Sequence, residues 1–188
     1  MSPARMLLDT CAYLRLARSI RPLLGVKFGE ERYCLYVIED FQAEFDKQTR
    51  LQTKFSWINQ PEYVENRLKC LQVSHKERKQ AKLAYDVILA FADSAKLGIS
   101  LVDARAVALA YMVKIPLITD DTDVQKACKE FGVRVFKTLE LLKLMVDCQH
   151  ITMGKIREIA GYWQYEKDLP KDFLKDYRKL FHESPPKY

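Results

Sequence analysis

The chain has 188 residues, is 48% hydrophobic and 30% charged, and carries few glycines and prolines. That length suits one α/β domain with an appendage, and the apolar content builds a core and excludes a disordered chain. A net charge of +6 is compatible with a nucleic-acid partner and equally with simple solubility. The five cysteines, Cys11, Cys34, Cys70, Cys128 and Cys148, are odd in number and show no C-x-x-C pair. They read as buried thiols of a reducing compartment rather than as a disulfide frame or a zinc site. The first strand begins within a few residues of Met1, which leaves no room for a signal peptide, and no apolar run is long enough to span a bilayer. The expectation is a cytoplasmic protein with no membrane partner.

Arg5–Leu8 reads as a short apolar strand ending in Asp9-Thr10, with Thr10 placed to cap a helix over Cys11–Ser19. Pro22 and Gly25 end that helix. Tyr33–Ile38 is rich in aromatic and β-branched residues and predicts a second strand, followed by a helix from about Asp40 to Lys54. Pro61 opens a helix running to about Lys69, and Cys70–Val73 is a candidate edge strand. Ser74-x-x-Glu77 is a capping box opening a long helix, Lys76–Leu97, ended by Gly98. Ser100-x-x-Asp103 is a second capping box, opening Leu101–Val113. Ile115–Thr119 reads as a strand, Asp123–Phe131 as a helix closed by Gly132, and Val133–Phe136 as the last strand. Leu139–Cys148, Thr152–Tyr165 and Lys171–Phe181 are amphipathic helical segments.

Alternating strands and helices imply an α/β fold in three layers, with a central parallel sheet of four to five strands. The expected division is a domain over residues 1–147 and a helical extension over 148–188 packed on or near it. In such a sheet the carboxyl ends of the strands face a common crevice, where ligands bind. Asp9, Glu44, Asp103 and the pair Asp121/Asp123 fall at or near those ends. Each has an ordinary explanation when taken singly. Asp9 reads as a turn or cap residue and Asp103 as the third residue of a capping box. Glu44 reads as a solvated helix residue, with Glu39 competing for any functional role. Asp120-Asp121-Thr122-Asp123 is harder to dismiss, because three carboxylates in four residues repel one another without a cation. Together the placements point to a divalent metal and phosphate chemistry. His75, His150 and His182 show no metal-ligand spacing and read as surface residues. Tyr162-Trp163-Gln164-Tyr165 reads as a docking face for the tail helices.

These residues resemble a known family. Leu7-Leu8-Asp9-Thr10-Cys11-Ala12-Tyr13-Leu14 is similar to the opening of a PIN-domain nuclease. Val37-Ile38-Glu39-Asp40-Phe41-Gln42-Ala43-Glu44-Phe45 resembles the segment carrying the family's next acidic residue, and it selects Glu44 over Glu39. Gly98–Ala104 resembles the third acidic position, at Asp103, and Pro116–Asp123 the fourth, at Asp121 with Asp123 auxiliary. The likeness covers roughly Met6 to Leu144 and is nearest to the VapC-type toxins of toxin–antitoxin pairs. Two departures are Cys11, where the family usually has serine, and the helical segment after about Asp147.

The resemblance implies a metal-dependent endoribonuclease, the toxin of a type II toxin–antitoxin pair. Its catalytic carboxylates would be Asp9, Glu44, Asp103 and Asp121. Mg²⁺ or Mn²⁺ would be held by Asp9, Asp103, Asp121 and Asp123, with Thr10 and Thr119 supporting. Arg15, Lys114 and Lys126 are candidates to hold the RNA backbone. The implied partners are an RNA substrate, a cognate antitoxin and a second copy in a homodimer. The alternative is a catalytically weak module of the same fold that binds protein or RNA. A phosphotransferase of the haloacid-dehalogenase type, suggested by Asp121-Thr122-Asp123, ranks last, because that signature normally opens the first strand.

Overall fold

The computed structural model describes residues 3–47 and 49–187, without the side chains of Ala43, Glu44 and Arg50. β1 (Arg5–Leu8) lies at the centre of a five-stranded sheet. β3 (Tyr33–Tyr36) pairs with it in parallel on one side, and β4 (Leu117–Ile118) in parallel on the other. β5 (Val135–Phe136) continues the parallel set beyond β4. β2 (Lys27–Phe28), which the sequence pattern did not reveal, covers the outer edge of β3 in the antiparallel sense. The order is β2-β3-β1-β4-β5.

The helices are α1 (Thr10–Ala17), α2 (Phe41–Lys47), α3 (Thr49–Lys54), α4 (Pro61–Arg67), α5 (His75–Ser94), α6 (Leu101–Val113), α7 (Thr122–Glu130), α8 (Thr138–Asp147), α9 (Met153–Tyr165) and α10 (Phe173–Phe181), with a 3₁₀ turn at Ser56–Asn59. Successive side chains of a strand point to opposite faces, and the sheet's residues divide accordingly. Met6, Leu8, Leu35 and Ile118 enter one core with Tyr13 and Leu16 of α1, Leu141 of α8, Trp163 of α9 and Tyr177 of α10. Leu7 and Leu117 enter a second core with Ile88 of α5, Val107 of α6 and Val124 of α7. The result is the expected three-layer α/β/α arrangement around a mostly parallel sheet. Each large apolar side chain fully buried in these layers contributes about 1.5–3 kcal/mol.

The C-terminal helices belong to the first core. Trp163 is buried against Phe173, with ring centroids 6.3 Å apart, and its indole N–H donates to the carbonyl of Arg15 at 3.0 Å. Tyr162-Trp163 thus turns inward as a docking face, whereas Tyr165 stays exposed.

Local differences from the sequence reading have identifiable causes. Asp9, not Thr10, caps α1, accepting from the Ala12 amide at 2.6 Å, so the strand-end carboxylate and the cap are one residue. The stretch expected as one helix over Asp40–Lys54 is helical over Phe41–Lys47 and again over Thr49–Lys54, with residue 48 between them outside the described residues. Cys70–Val73 is not a strand; among its backbone amides, Leu71 donates to Val37 at 3.0 Å without a ladder following. The long helix α5 ends at Ser94, and Lys96, rather than Gly98, takes the left-handed conformation after it. The two capping boxes at Ser74 and Ser100 form as read. Cys34 and Cys128 are buried, Cys70 and Cys148 partly so, and Cys11 is exposed, contrary to the expectation for it; among the described residues none of the five forms a disulfide. His150 is half-buried and stacks on Phe28 at 4.9 Å instead of lying on the surface. Among the described residues no helix is long and apolar enough to cross a membrane.

Candidate functional site

From the carboxyl end of β1 the chain passes through α1 to β3 on one side, and from that of β4 through α7 to β5 on the other. The gap between β1 and β4 is therefore the topological switch point of the sheet, the position at which open α/β folds form a ligand crevice. Asp9 stands directly after β1, and Thr119-Asp120 directly after β4. The ladder continues into them: the Asp9 amide donates to Ile118 at 3.1 Å and the Thr119 amide to Phe136 at 3.0 Å.

Asp9 is 4% exposed. One carboxylate oxygen caps α1, and the Thr119 hydroxyl donates to the same carboxylate. Burial nevertheless dominates and raises its pKa from 3.8 to about 7. The hydrogen bonds from Thr119 and Ala12 oppose the rise, and the negative charges of Asp103 and Asp120 add to it. Cys128, buried on α7, has its thiol pKa pushed up to about 12, mainly by burial and also by the charge of Asp9. Asp9, Thr10 and Asp103 line one slot with Val37, Ile38, Phe41 and Val102. The slot is narrow and has no room for a water molecule between its walls.

Asp103 is fixed by the capping box of α6. Its carboxylate accepts from the Ser100 hydroxyl at 2.8 Å and its amide donates back to that hydroxyl at 3.0 Å. A carboxylate in a first helical turn is also favoured by the helix dipole. Asp121 caps α7, accepting from the amides of Asp123 and Val124 at 2.8 and 2.9 Å, while its own amide donates to the Thr119 hydroxyl at 3.1 Å. Asp123 is held by donors of the chain: one oxygen accepts from Lys126 at 2.7 Å and the other from the Gly98 amide at 2.9 Å. These bonds, with that of Lys126 foremost, hold its pKa below the usual carboxylate range. The Glu44 side chain lies outside the described residues. Glu39 forms a two-pronged pair with Arg78 at 2.9 and 3.1 Å. The structure thus brings Asp9, Thr10, Thr119 and Asp103 together, and sets Asp121 and Asp123 at the adjoining start of α7. Among the described residues, no three His, Cys, Asp or Glu side chains form a ready metal cluster.

Asp120, which the sequence reading set aside, ties the site to its surroundings. It accepts from the amide and hydroxyl of Thr138 at 3.0 and 2.6 Å, and it pairs with Arg15 of α1. Arg15 reaches Asp168, in the α9–α10 connection, at 3.4 Å, and Lys54 binds the same carboxylate at 3.0 Å. Arg15 and Asp120 are each 11% exposed. Of the basic residues expected to hold RNA, Arg15 is therefore committed to two carboxylates, and Lys126 is paired with Asp123. Lys114 sits at the opposite end of α6 from Asp103, roughly 16 Å away along the helix. The only hint of Asp120's role in the sequence was the excess of carboxylates: three in four residues cannot all face one crevice.

No protein-family model matches the chain, and no curated protein matches its sequence. Among solved structures, it is similar to a chain of the crystal structure of FitAcB from Neisseria gonorrhoeae, at 16% identity and a TM-score of 0.46, over 71% of this chain and 98% of that one. At that depth the likeness supports no functional conclusion.

Proposed function

We propose that this protein is a metal-dependent endoribonuclease, of the PIN-domain kind that its sequence motifs resemble. The observation that carries the reading is Asp9: a carboxyl buried at the switch point, its ionised form penalised by desolvation and by two neighbouring carboxylates. A charge held in such a place is relieved by a cation. Mg²⁺ and Mn²⁺ take oxygen ligands, and Mg²⁺ is commonly held by one or two carboxylates while substrate phosphates and water complete its shell. Asp9 and Asp103, which line the same slot, meet that requirement without a closed protein cage. Asp9 and Asp103, with Asp121 at the start of α7, would be the residues to hold the ion. A bound ion there would neutralise phosphate charge and acidify a water.

The chain's own residues have separable tasks. Thr119, fully buried, orients the Asp9 carboxylate through its hydroxyl and the Asp121 amide through its oxygen. The Ser100 box holds Asp103 against the slot. Asp120 keeps α1 and α8 in register around it. Unpaired RNA is the substrate this geometry suits, since side chains do not read the deep groove of an A-form duplex. A cognate antitoxin and a homodimer belong to the same proposal through the resemblance alone.

The test is digestion of single-stranded RNA with Mg²⁺ or Mn²⁺, comparing the parent with Asp9→Asn and Asp103→Asn. Cleavage by the parent and its loss by at least a hundredfold in both variants is the expected result; equal cleavage by all three removes the reading. A second reading, a PIN-like module that binds without cutting, is favoured by Asp121 and Asp123, whose carboxylates are engaged by amides and a lysine of the chain itself. Calorimetric titration separates the two: the nuclease requires metal binding in the millimolar range or tighter.

A further inference from the structure

Next to the slot, and sharing Ile38 with it, lies a larger groove of about 280 Å³ between the end of β3, α5 and α6. That volume is at the small end of the roughly 300–1,000 Å³ typical of small-molecule sites. Ile38, Leu71, Val73 and Leu109 make an apolar floor. The rim is charged and organised in pairs. The Arg105 guanidinium lies 5.6 Å from the centre of the Tyr85 ring and is bonded to Asp40 at 2.9 Å. Arg78 is held by both oxygens of Glu39. These arginines remain about half exposed, at 46% for Arg105 and 58% for Arg78.

An arginine with an aromatic ring on one side can take a second flat partner on the other. An apolar floor under such a plane suits a heterocycle rather than an extended polar chain. Each guanidinium has five N–H donors and uses only one or two here, so each can also hold a phosphate without losing its carboxylate. Asp86 and Lys82 on the same rim offer an acceptor and a donor to the edge of a base. Asp103 lines the slot and Leu109 the groove, six residues further along α6, which places the two about 9 Å apart along the helix.

We infer that this groove binds one unpaired nucleotide of the RNA beside the phosphate to be cut, with the base stacked on Arg105 and read at its edge. The inference rests on the ribonuclease reading and adds to it the place where sequence is sensed. A groove of neutral polar walls would favour no ligand class; two carboxylate-anchored arginines on the rim of an apolar floor favour a nucleotide.

The experiment uses the full chain in EDTA, so that binding is read without cleavage. Anisotropy titrations with labelled oligo-rA, -rC, -rG and -rU compare the parent with Arg105→Ala and with Leu109→Trp, which fills the floor. The parent should favour one base, and both variants should lose about tenfold in affinity for it and flatten the preference, as loss of one stacked base does. In parallel, nuclear magnetic resonance of the parent with each nucleoside monophosphate should shift the amides of Ile38 and Leu109. Unchanged RNA preference in both variants, or monophosphates that leave those amides unmoved, overturns the proposal. So does loss of a protein partner's binding in Leu109→Trp with RNA binding intact, which makes the groove a protein-docking site. The two readings fail separately. A parent that binds with base preference but never cuts removes the nuclease alone. A parent whose cutting preference survives Arg105→Ala removes the groove alone.

Discussion

Asp9→Asn should stabilise the protein at high pH, and by an amount that the burial of Asp9 sets. The carboxyl pKa rises from 3.8 to about 7 on folding. Between those values the native chain keeps a proton that the unfolded chain has lost, so unfolding releases one proton and stability falls as pH rises, by about 1.4 kcal/mol per pH unit. Across the whole interval the loss is about 4 kcal/mol, complete once the pH passes about 7. Asparagine cannot ionise and is as good an N-cap as aspartate, so the variant keeps the bond to the Ala12 amide and escapes the penalty. At pH 8 it should be more stable than the parent by up to about 4 kcal/mol, or about 10 °C in midpoint for a chain of this size; at pH 4 the two should coincide. Urea unfolding followed by circular dichroism from pH 4 to 8 measures the difference. Mg²⁺ at pH 8 should narrow the gap, because a cation bound by ionised Asp9 stabilises only the parent. Parallel stability curves for parent and variant would refute the account of Asp9 as a carboxylate strained by burial.

Asp120→Ala should cost about 3 kcal/mol, because it leaves Arg15 short of a partner in a largely buried setting, and replacing both as Asp120→Leu with Arg15→Met should cost less; urea midpoints decide it. Ser100→Ala removes the cap of α6 and should cost about 1 kcal/mol, read as a lower urea midpoint at unchanged slope. Gly29 has φ +68°, and a Cβ there would come within 2.6 Å of the Cys148 sulfur. Gly29→Ala should therefore destabilise by more than about 1 kcal/mol, with Cys148→Ala restoring part of the loss but not the part due to the backbone; thermal melts of the single and double variants test this.

The sheet and the layers were legible because their signals are local. Arg5–Leu8 and Leu101–Val113 match the sequence reading residue for residue, the first from an apolar run and the second from Ser100-x-x-Asp103. β2 was not legible: two residues, Lys27 and Phe28, carry no periodicity, and their pairing depends on β3 being already in place. The slot was half legible. Asp9 and Asp103 could be assigned to strand and helix ends, and topology then brings those ends together. The direction of each carboxylate after β4 was not available from sequence. It is decided by which donors are nearby, and these come from distant segments: Thr138 and Arg15 for Asp120, Gly98 and Lys126 for Asp123. The crowding of the three neighbours was read as the mark of a cation, whereas Asp120 and Asp123 are met by donors of the chain itself.

The bond from the Trp163 indole to the carbonyl of Arg15 spans 148 positions of sequence. It joins the helix that Asp9 caps to a helix made long after it. During translation α1 and the strands around it emerge well before α9 exists to clamp them, and contacts of such long range form late in folding. The crevice is thus finished only after α9 has emerged, and a product truncated before α9 would carry the carboxylates without the framework that sets them. For a protein whose proposed work is to cut RNA, the framework of the site closes only after every one of its carboxylates has been made.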